Sequence, residues 1–263
     1  MSYVQADIYD YPRYYDVVFD QDTDAESRFL ELLACRHGPR RGRRVLEPAC
    51  GTGRVLRALH SRGWRVTGFD ANEAMVRFAR GRLAPVGARQ AVHVARMESF
   101  AAPHRFELAC CLLSSFRYLL SERAARMHLR HVARALVPGG LYVIGIDLTD
   151  YSRKGCQHER WTGRAGRTSV TWNLHCWPPQ REGRRERLRA RLDVLGRSER
   201  QRWESSWCFR TYDDEELRRT VAAIHELELV ATYVGSHGPA RQASELEVRL
   251  DRVLVLRKRR TTP

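Results

Sequence analysis

The segment "RVLEPACGTGRVL", residues 44 to 56, constrains this chain more than any other stretch. An apolar run of strand length leads into a turn with glycines at 51 and 53, and the turn leads directly into a helical pattern. Strand, glycine turn and helix N-terminus in immediate succession form the opening unit of a ligand-binding α/β sheet. In such sheets the ligand lies beyond the carboxyl ends of the strands and meets the N–H groups of the turn.

The alternation continues downstream. "RVTGFD", "AVHVA", "FELACCLL" and "GLYVIGID" read as strands, with "NEAMVRFARGRL" and "SERAARMHLRHVARAL" as helices between them. Lengths of this kind predict right-handed crossovers and a parallel sheet covered on both faces. Upstream, Thr23 and Glu26 have the spacing of a capping box and the periodicity predicts a helix over 24–37, stopped by Gly38-Pro39. After Asp147 the alternation fails. Residues 150 to 211 hold "TSVTWNLHCW" and "RWESSWCFRTY" around an arginine-rich run, a pattern that predicts antiparallel strands. A helix opened by Asp213, then "ELVATYVG" and "VRLDRVLVLRKR" as strands, resume the first pattern. The reading is a doubly wound, Rossmann-like α/β sheet with an inserted antiparallel β subdomain. Its segments are residues 1–40, 41–149, 150–211 and 212–263.

The ligand of the glycine turn follows from charge. A dinucleotide fingerprint needs a third glycine where Leu56 stands. Glu47 closes the strand before the glycines, and a carboxylate there repels a pyrophosphate but attracts an ammonium group. Asp70 closes the second strand, where a carboxylate accepts the hydroxyls of a ribose. An amino-acid cation joined to a nucleoside suggests S-adenosylmethionine, with S-adenosylhomocysteine as product.

Five stretches in order then resemble the motifs of the class I S-adenosylmethionine-dependent methyltransferases: "VLEPACGTG", "VTGFDANEAM", "RMESF", "FELACCLLSSFRYL" and "ALVPGGLYVIGID". The resemblance covers roughly residues 43 to 148 and implies roles. Glu47, Ala49, Gly51 and Gly53 would line the methionine part of the cofactor. Asp70 would bind the ribose with Ala71 and Met75 nearby, Met97 and Glu98 would flank the adenine, and Leu113 and Ser114 would approach the sulfonium. Ala49 stands where the family has its first glycine, and Glu98 where aspartate is commoner. The tyrosine-dense N-terminus "IYDYPRYYDVVF" resembles the lid of small-molecule methyltransferases of the glycine N-methyltransferase type, which implies cofactor contact by Tyr14 or Tyr15.

That subgroup builds its acceptor chamber in the insertion, so Asp147, Tyr151 and Trp172 are the expected substrate-binding residues. Trp161, Trp177, Trp203 and Trp207 would extend an aromatic wall suited to a flat or cationic acceptor. His158 and His175 are the candidate general bases, since histidine titrates near neutrality. The expected reaction is in-line methyl transfer to a nitrogen or oxygen of a small-molecule acceptor.

Composition sets the competing readings. Net charge is +15, yet of the 46 Lys and Arg residues only Lys154 and Lys258 are lysine, and residues 1 to 35 carry eight Asp or Glu against two Arg. An RNA methyltransferase docking through its basic surface is the alternative, disfavoured because "LLSSFRYL" lacks the Asn/Asp-Pro-Pro-Tyr/Phe signature of base-modifying enzymes. A non-catalytic S-adenosylmethionine-binding protein is a third reading. Seven scattered cysteines without a C-x-x-C pair point to reduced thiols and no metal site. With no membrane span or leader expected, the predicted location is the cytoplasm. The sequence leaves the oligomeric state open.

Overall fold

Apolar periodicity sorts the chain into two sheets. The computed structural model describes residues 3–196, 200–235, 241–242 and 251–260. In chain order the elements are β1 (Val4–Gln5), α1 (Pro12–Phe19), α2 (Thr23–His37), β2 (Arg44–Pro48), α3 (Arg54–Ser61), β3 (Arg65–Asp70), α4 (Glu73–Leu83), β4 (Val92–Val94), β5 (Phe106–Cys111) and α5 (Glu122–Ala135). There follow β6 (Leu136–Asp147), β7 (Gln157–Ala165), β8 (Thr168–Cys176), β9 (Arg185–Leu195), β10 (Arg200–Arg210), α6 (Asp214–Ala222), β11 (Leu227–Val234), β12 (Arg241–Gln242) and β13 (Asp251–Lys258).

The first sheet runs β12-β11-β13-β6-β5-β2-β3-β4. Strands β2 to β6 pair in parallel, and β13 pairs antiparallel with both β6 and β11. Every residue of β5 is buried, as a strand covered on both faces requires. Leu46, Ala109, Tyr142 and Ile144 pack under α5 and α6, while Val45, Leu108, Cys110 and Val143 pack under α2, α3 and α4. Adjacent Cys110 and Cys111 therefore point to opposite layers, and all seven cysteines are free thiols. Strand order reverses between β2 and its two neighbours, β5 and β3, so the crevice at the carboxyl end of β2 is where a ligand belongs.

The second sheet, β1-β10-β9-β8-β7, is antiparallel apart from the β1–β10 pair. Its inner face packs Val170, Trp172, Leu192 and Trp203 against Ile8 and Val18 of the N-terminal segment. The first 40 residues are thus divided between the sheets: β1 and α1 join the second, and α2 packs on the first. Helix α1 lies so close to β7 that a Cβ on Gly163 would stand 2.0 Å from the Val17 carbonyl oxygen.

The capping box expected at Thr23 and Glu26 does not form. Thr23 is the first residue of α2, Asp22 precedes it without a side-chain cap, and Glu26 instead makes a buried ion pair with Arg54 of α3. A guanidinium inside the protein competes for that carboxylate better than a helix-end amide that water can serve. The box does form at α6, between Asp213 and Glu216. Among the described residues no helix is long and apolar enough to cross a membrane, and none of the Cys, His, Asp and Glu side chains gather into a metal-binding group of three.

Candidate active site

The turn after β2 is built from left-handed backbone. Ala49, Gly51 and Gly53 have φ of 55°, 52° and 71°. Ala49 and Gly51 line a cavity of about 440 Å³, and a Cβ on Gly51 would meet no atom within 4 Å, so the turn presents bare backbone to open space. Gly53 has a different task. It does not line the cavity, and a Cβ there would stand 2.9 Å from the Ala79 Cβ, so it lets α3 pack against α4.

Asp70 ties the turn down. One carboxylate oxygen accepts the Gly51 N–H at 2.9 Å and the other accepts the Asn72 N–H at 2.9 Å. Asn72, not Asp70, caps α4, accepting the Met75 N–H at 3.0 Å. Asp70 lines the cavity with Ala71 and Met75, and burial raises its pKa against those backbone N–H groups. Glu47 lies buried behind the turn. Its Oε2 has no hydrogen-bond partner, and burial pushes its carboxyl up to about 8 despite the opposing charge of Arg54.

The remaining walls come from Met97, Glu98, Leu113 and a short 3₁₀ segment, Ser115–Tyr118. His128 of α5 fixes the Met97 backbone: its Nδ1 donates to the Met97 carbonyl at 3.0 Å, and its Nε2 accepts from the Tyr142 hydroxyl at 2.6 Å. Burial lowers its pKa to about 4, so the ring is neutral near pH 7. The N-terminal segment crosses the opening with Asp7, Tyr9 and Tyr15. It is held by the Asn72 side chain, which donates to Asp10 at 2.8 Å, and by the Arg82–Asp16 ion pair.

Tyr9, Tyr15, Leu113 and Phe209 also wall a second cavity of about 360 Å³ between the two sheets. Asp147, Glu159, Trp161, Trp172 and Trp207 face it. Leu113 and Ser114 have φ of 51° and 58°, uncommon for residues with a Cβ. That backbone places the Ser114 hydroxyl to donate to Asp147 Oδ2 at 2.9 Å and to accept the Asp147 N–H at 2.8 Å. Ser114 thus lines the second cavity, not the first.

Other sequence-derived candidates lie elsewhere. Tyr14 packs its ring on Trp203 and donates to Gln201 at 3.3 Å, while Tyr15, the next residue of the helix, turns to both cavities. Tyr151 donates to Thr211 and Glu216 at 2.7 and 3.0 Å under the Arg181 guanidinium, outside the second cavity. His158 and His175 are cross-strand partners, with Nδ1 atoms 3.2 Å apart. They line an outer hollow with Arg189 and Arg191, on the face opposite Trp161 and Trp172. Strand alternation turns them from the site, and they are not bases within it. Trp177 is also on that side, with Arg187 3.9 Å above its ring, and Trp203 stays in the core of the second sheet. Sequence reading missed Tyr9, Tyr118 and Phe209. Tyr9 and Tyr118 share a 2.5 Å hydroxyl contact where the two cavities meet, and only the tyrosine density of the N-terminus hinted at it.

Comparison with known proteins decides what family this geometry serves. A family model for a methyltransferase domain matches residues 45–140. A dTDP-3-amino-3,6-dideoxy-alpha-D-glucopyranose N,N-dimethyltransferase from Streptomyces fradiae is 28% identical over 185 residues, 69% of each chain. Residues 45–140 thus match a methyltransferase domain, and the chain is similar to class I S-adenosylmethionine-dependent methyltransferases. A solved S-adenosylmethionine-dependent methyltransferase from Clostridium acetobutylicum shares its fold, with a TM-score of 0.74 at 14% identity over 95% of this chain and 98% of that one. So does the sugar N-methyltransferase KedS8 from Streptoalloteichus, with 0.73 at 21% identity over 99% and 97%.

S-adenosylmethionine is the methyltransferase's cofactor, and the first cavity fits it. The bare turn at Ala49 and Gly51 admits a close-lying ligand and the Asp70 carboxylate lines the cavity with acceptor capacity left for a hydroxyl, while Glu47, whose Oε2 has no hydrogen-bond partner, lies buried next to the turn and outside the cavity lining.

Proposed function

We propose that this methyltransferase methylates the amine nitrogen of a small-molecule acceptor of the amino-sugar class. The observation that carries the reading is the second cavity, which meets the cofactor cavity at Tyr9, Tyr15, Leu113 and Phe209 and is lined by carboxylates and tryptophans. Relatives whose names specify amino-sugar N,N-dimethylation support it.

In this reading Glu47 neutralises the ammonium of the cofactor's methionine part, and Tyr15, Ala49 and Gly51 enclose that part. Asp70 receives the ribose hydroxyls, Ala71 and Met75 pack beside it, and Met97 and Glu98 flank the adenine. Leu113 stands where the two ligands meet. When bound, the cofactor supplies an electrophilic methyl group. The chain's own contribution is to hold the acceptor nitrogen in line and keep water away, effects that account for much of the rate in such displacements. Free thiols throughout support a reducing compartment, and we place the protein in the cytoplasm.

Mass spectrometry of amino sugars incubated with the protein and S-adenosylmethionine tests the assignment. Added methyl groups on nitrogen are expected; methylation of RNA but of no small amine would refute it.

A further inference from the structure

The chain carries +15 overall, yet the acceptor cavity has the opposite sign. Its walls hold five carboxylates against two guanidiniums, Arg117 and Arg153. Both guanidiniums are already paired with Glu186. Arg117 pairs with Glu186 at 2.5 Å, donates through Nε to the Arg210 carbonyl at 3.2 Å and lies over Phe209. Arg153 pairs with the other oxygen of Glu186, and its Nη1 and Nη2 also donate to the carbonyls of Gly155, Cys176 and Trp177. Glu186 is taken up by these two pairs, while Asp147 and Glu159 line the same wall.

An adjoining cavity of about 520 Å³ shares Asp147 and Glu159 and has Arg160 as its basic lining residue, and its Glu26 is neutralised by Arg54. Asp147 reaches the cavity with its Ser114 contact in place, and Glu159 accepts from Gln157 at 2.9 Å on the same wall. Burial raises the pKa of both groups, and each is raised further by neighbouring carboxylates. A bound cation would relieve that cost, because opposite charge favours the ionised form. The tryptophan rings between them attract cations as well.

We infer that this cavity selects an amine acceptor carrying several positive charges and no phosphate, with Asp147 and Glu159 holding its ammonium groups. The inference rests on the methyltransferase reading and narrows its substrate class. It separates this chain from relatives whose named substrates carry a nucleoside diphosphate: among the described residues, both guanidiniums lining the acceptor cavity are already paired with Glu186.

The test is calorimetric titration of the full chain saturated with S-adenosylhomocysteine, using neamine, a tetra-amino disaccharide without phosphate, and UDP-glucosamine. Neamine is expected to bind, at least about tenfold more tightly than UDP-glucosamine, and to lose about tenfold or more in Asp147→Asn and in Glu159→Gln, a 1.4 kcal/mol change. Both variants should keep wild-type affinity for S-adenosylhomocysteine, which shows that they fold. Tighter binding of UDP-glucosamine, no binding of neamine, or neamine affinity unchanged in both variants would overturn the inference. Failure of the wild type to bind S-adenosylhomocysteine would overturn the reading beneath it, and the inference with it.

Discussion

Glu47 is the residue whose chemistry is most exposed to measurement. Buried without a full set of partners, its carboxyl has a pKa of about 8 and is largely protonated at neutral pH when the cavity is empty. A ligand ammonium beside it favours the ionised form, so binding should expel a proton. The sign follows: as pH falls below about 8, affinity drops by up to about tenfold per unit, and at higher pH the ligand's own amino group loses its proton and the attraction with it. Titration with S-adenosylmethionine at pH 7 in buffers of different ionisation heat should show release of nearly one proton, and Glu47→Gln should abolish it. Heats independent of buffer would contradict the role. That Gly51 and Asp70 share one cavity was legible in the sequence, because it follows from position along a strand–turn–strand unit. His158 was not, because a shift of one residue along a strand exchanges its two faces. Nor was Gly53, since a contact with Ala79 on another helix leaves no local trace.

Among the elements, α1 couples the two halves of the site. It delivers Tyr15 to both cavities and Asp16 to Arg82 of α4, and it rests on β7 at Gly163. A methyl group there collides with the helix backbone, which has no rotamer to yield. Gly163→Ala should lower stability by about 1–3 kcal/mol, in the range of overpacking, and should weaken S-adenosylhomocysteine binding by displacing Tyr15. Thermal unfolding with and without the ligand checks both effects; an unchanged melting temperature and affinity would show that α1 is not seated as described. The alternating strands and helices of the first sheet were legible because burial on both faces and helical periodicity are written locally. The joining of β1 to β10 was not: a two-residue strand has no periodicity, and its partner lies about 200 residues away.

For the molecule as a whole, the contrast between a basic exterior and an acidic cavity separates the small-amine reading from RNA docking. An acceptor held by Asp147 and Glu159 makes few ionic contacts. Turnover on a small amine should therefore fall less than about tenfold between about 50 and 200 mM salt, whereas six or more phosphate contacts would cost about 10³ or more. Initial rates measured across that range decide between them, and a steep loss would favour the basic surface as the docking site. The charge total alone hid this, because the excess arginine lies outside the cavity that matters.

The central claim is that the crevice beyond β2 and β3 is an S-adenosylmethionine site anchored by Asp70. The most direct test is calorimetric titration of the purified chain and of Asp70→Ala with S-adenosylmethionine, S-adenosylhomocysteine and NADH. One site is expected for the first two ligands, none for NADH, and a loss of about 1–3 kcal/mol in the variant as its charge-assisted hydrogen bonds to the ribose disappear. Absence of binding, or equal affinity in a folded Asp70→Ala protein, would contradict it.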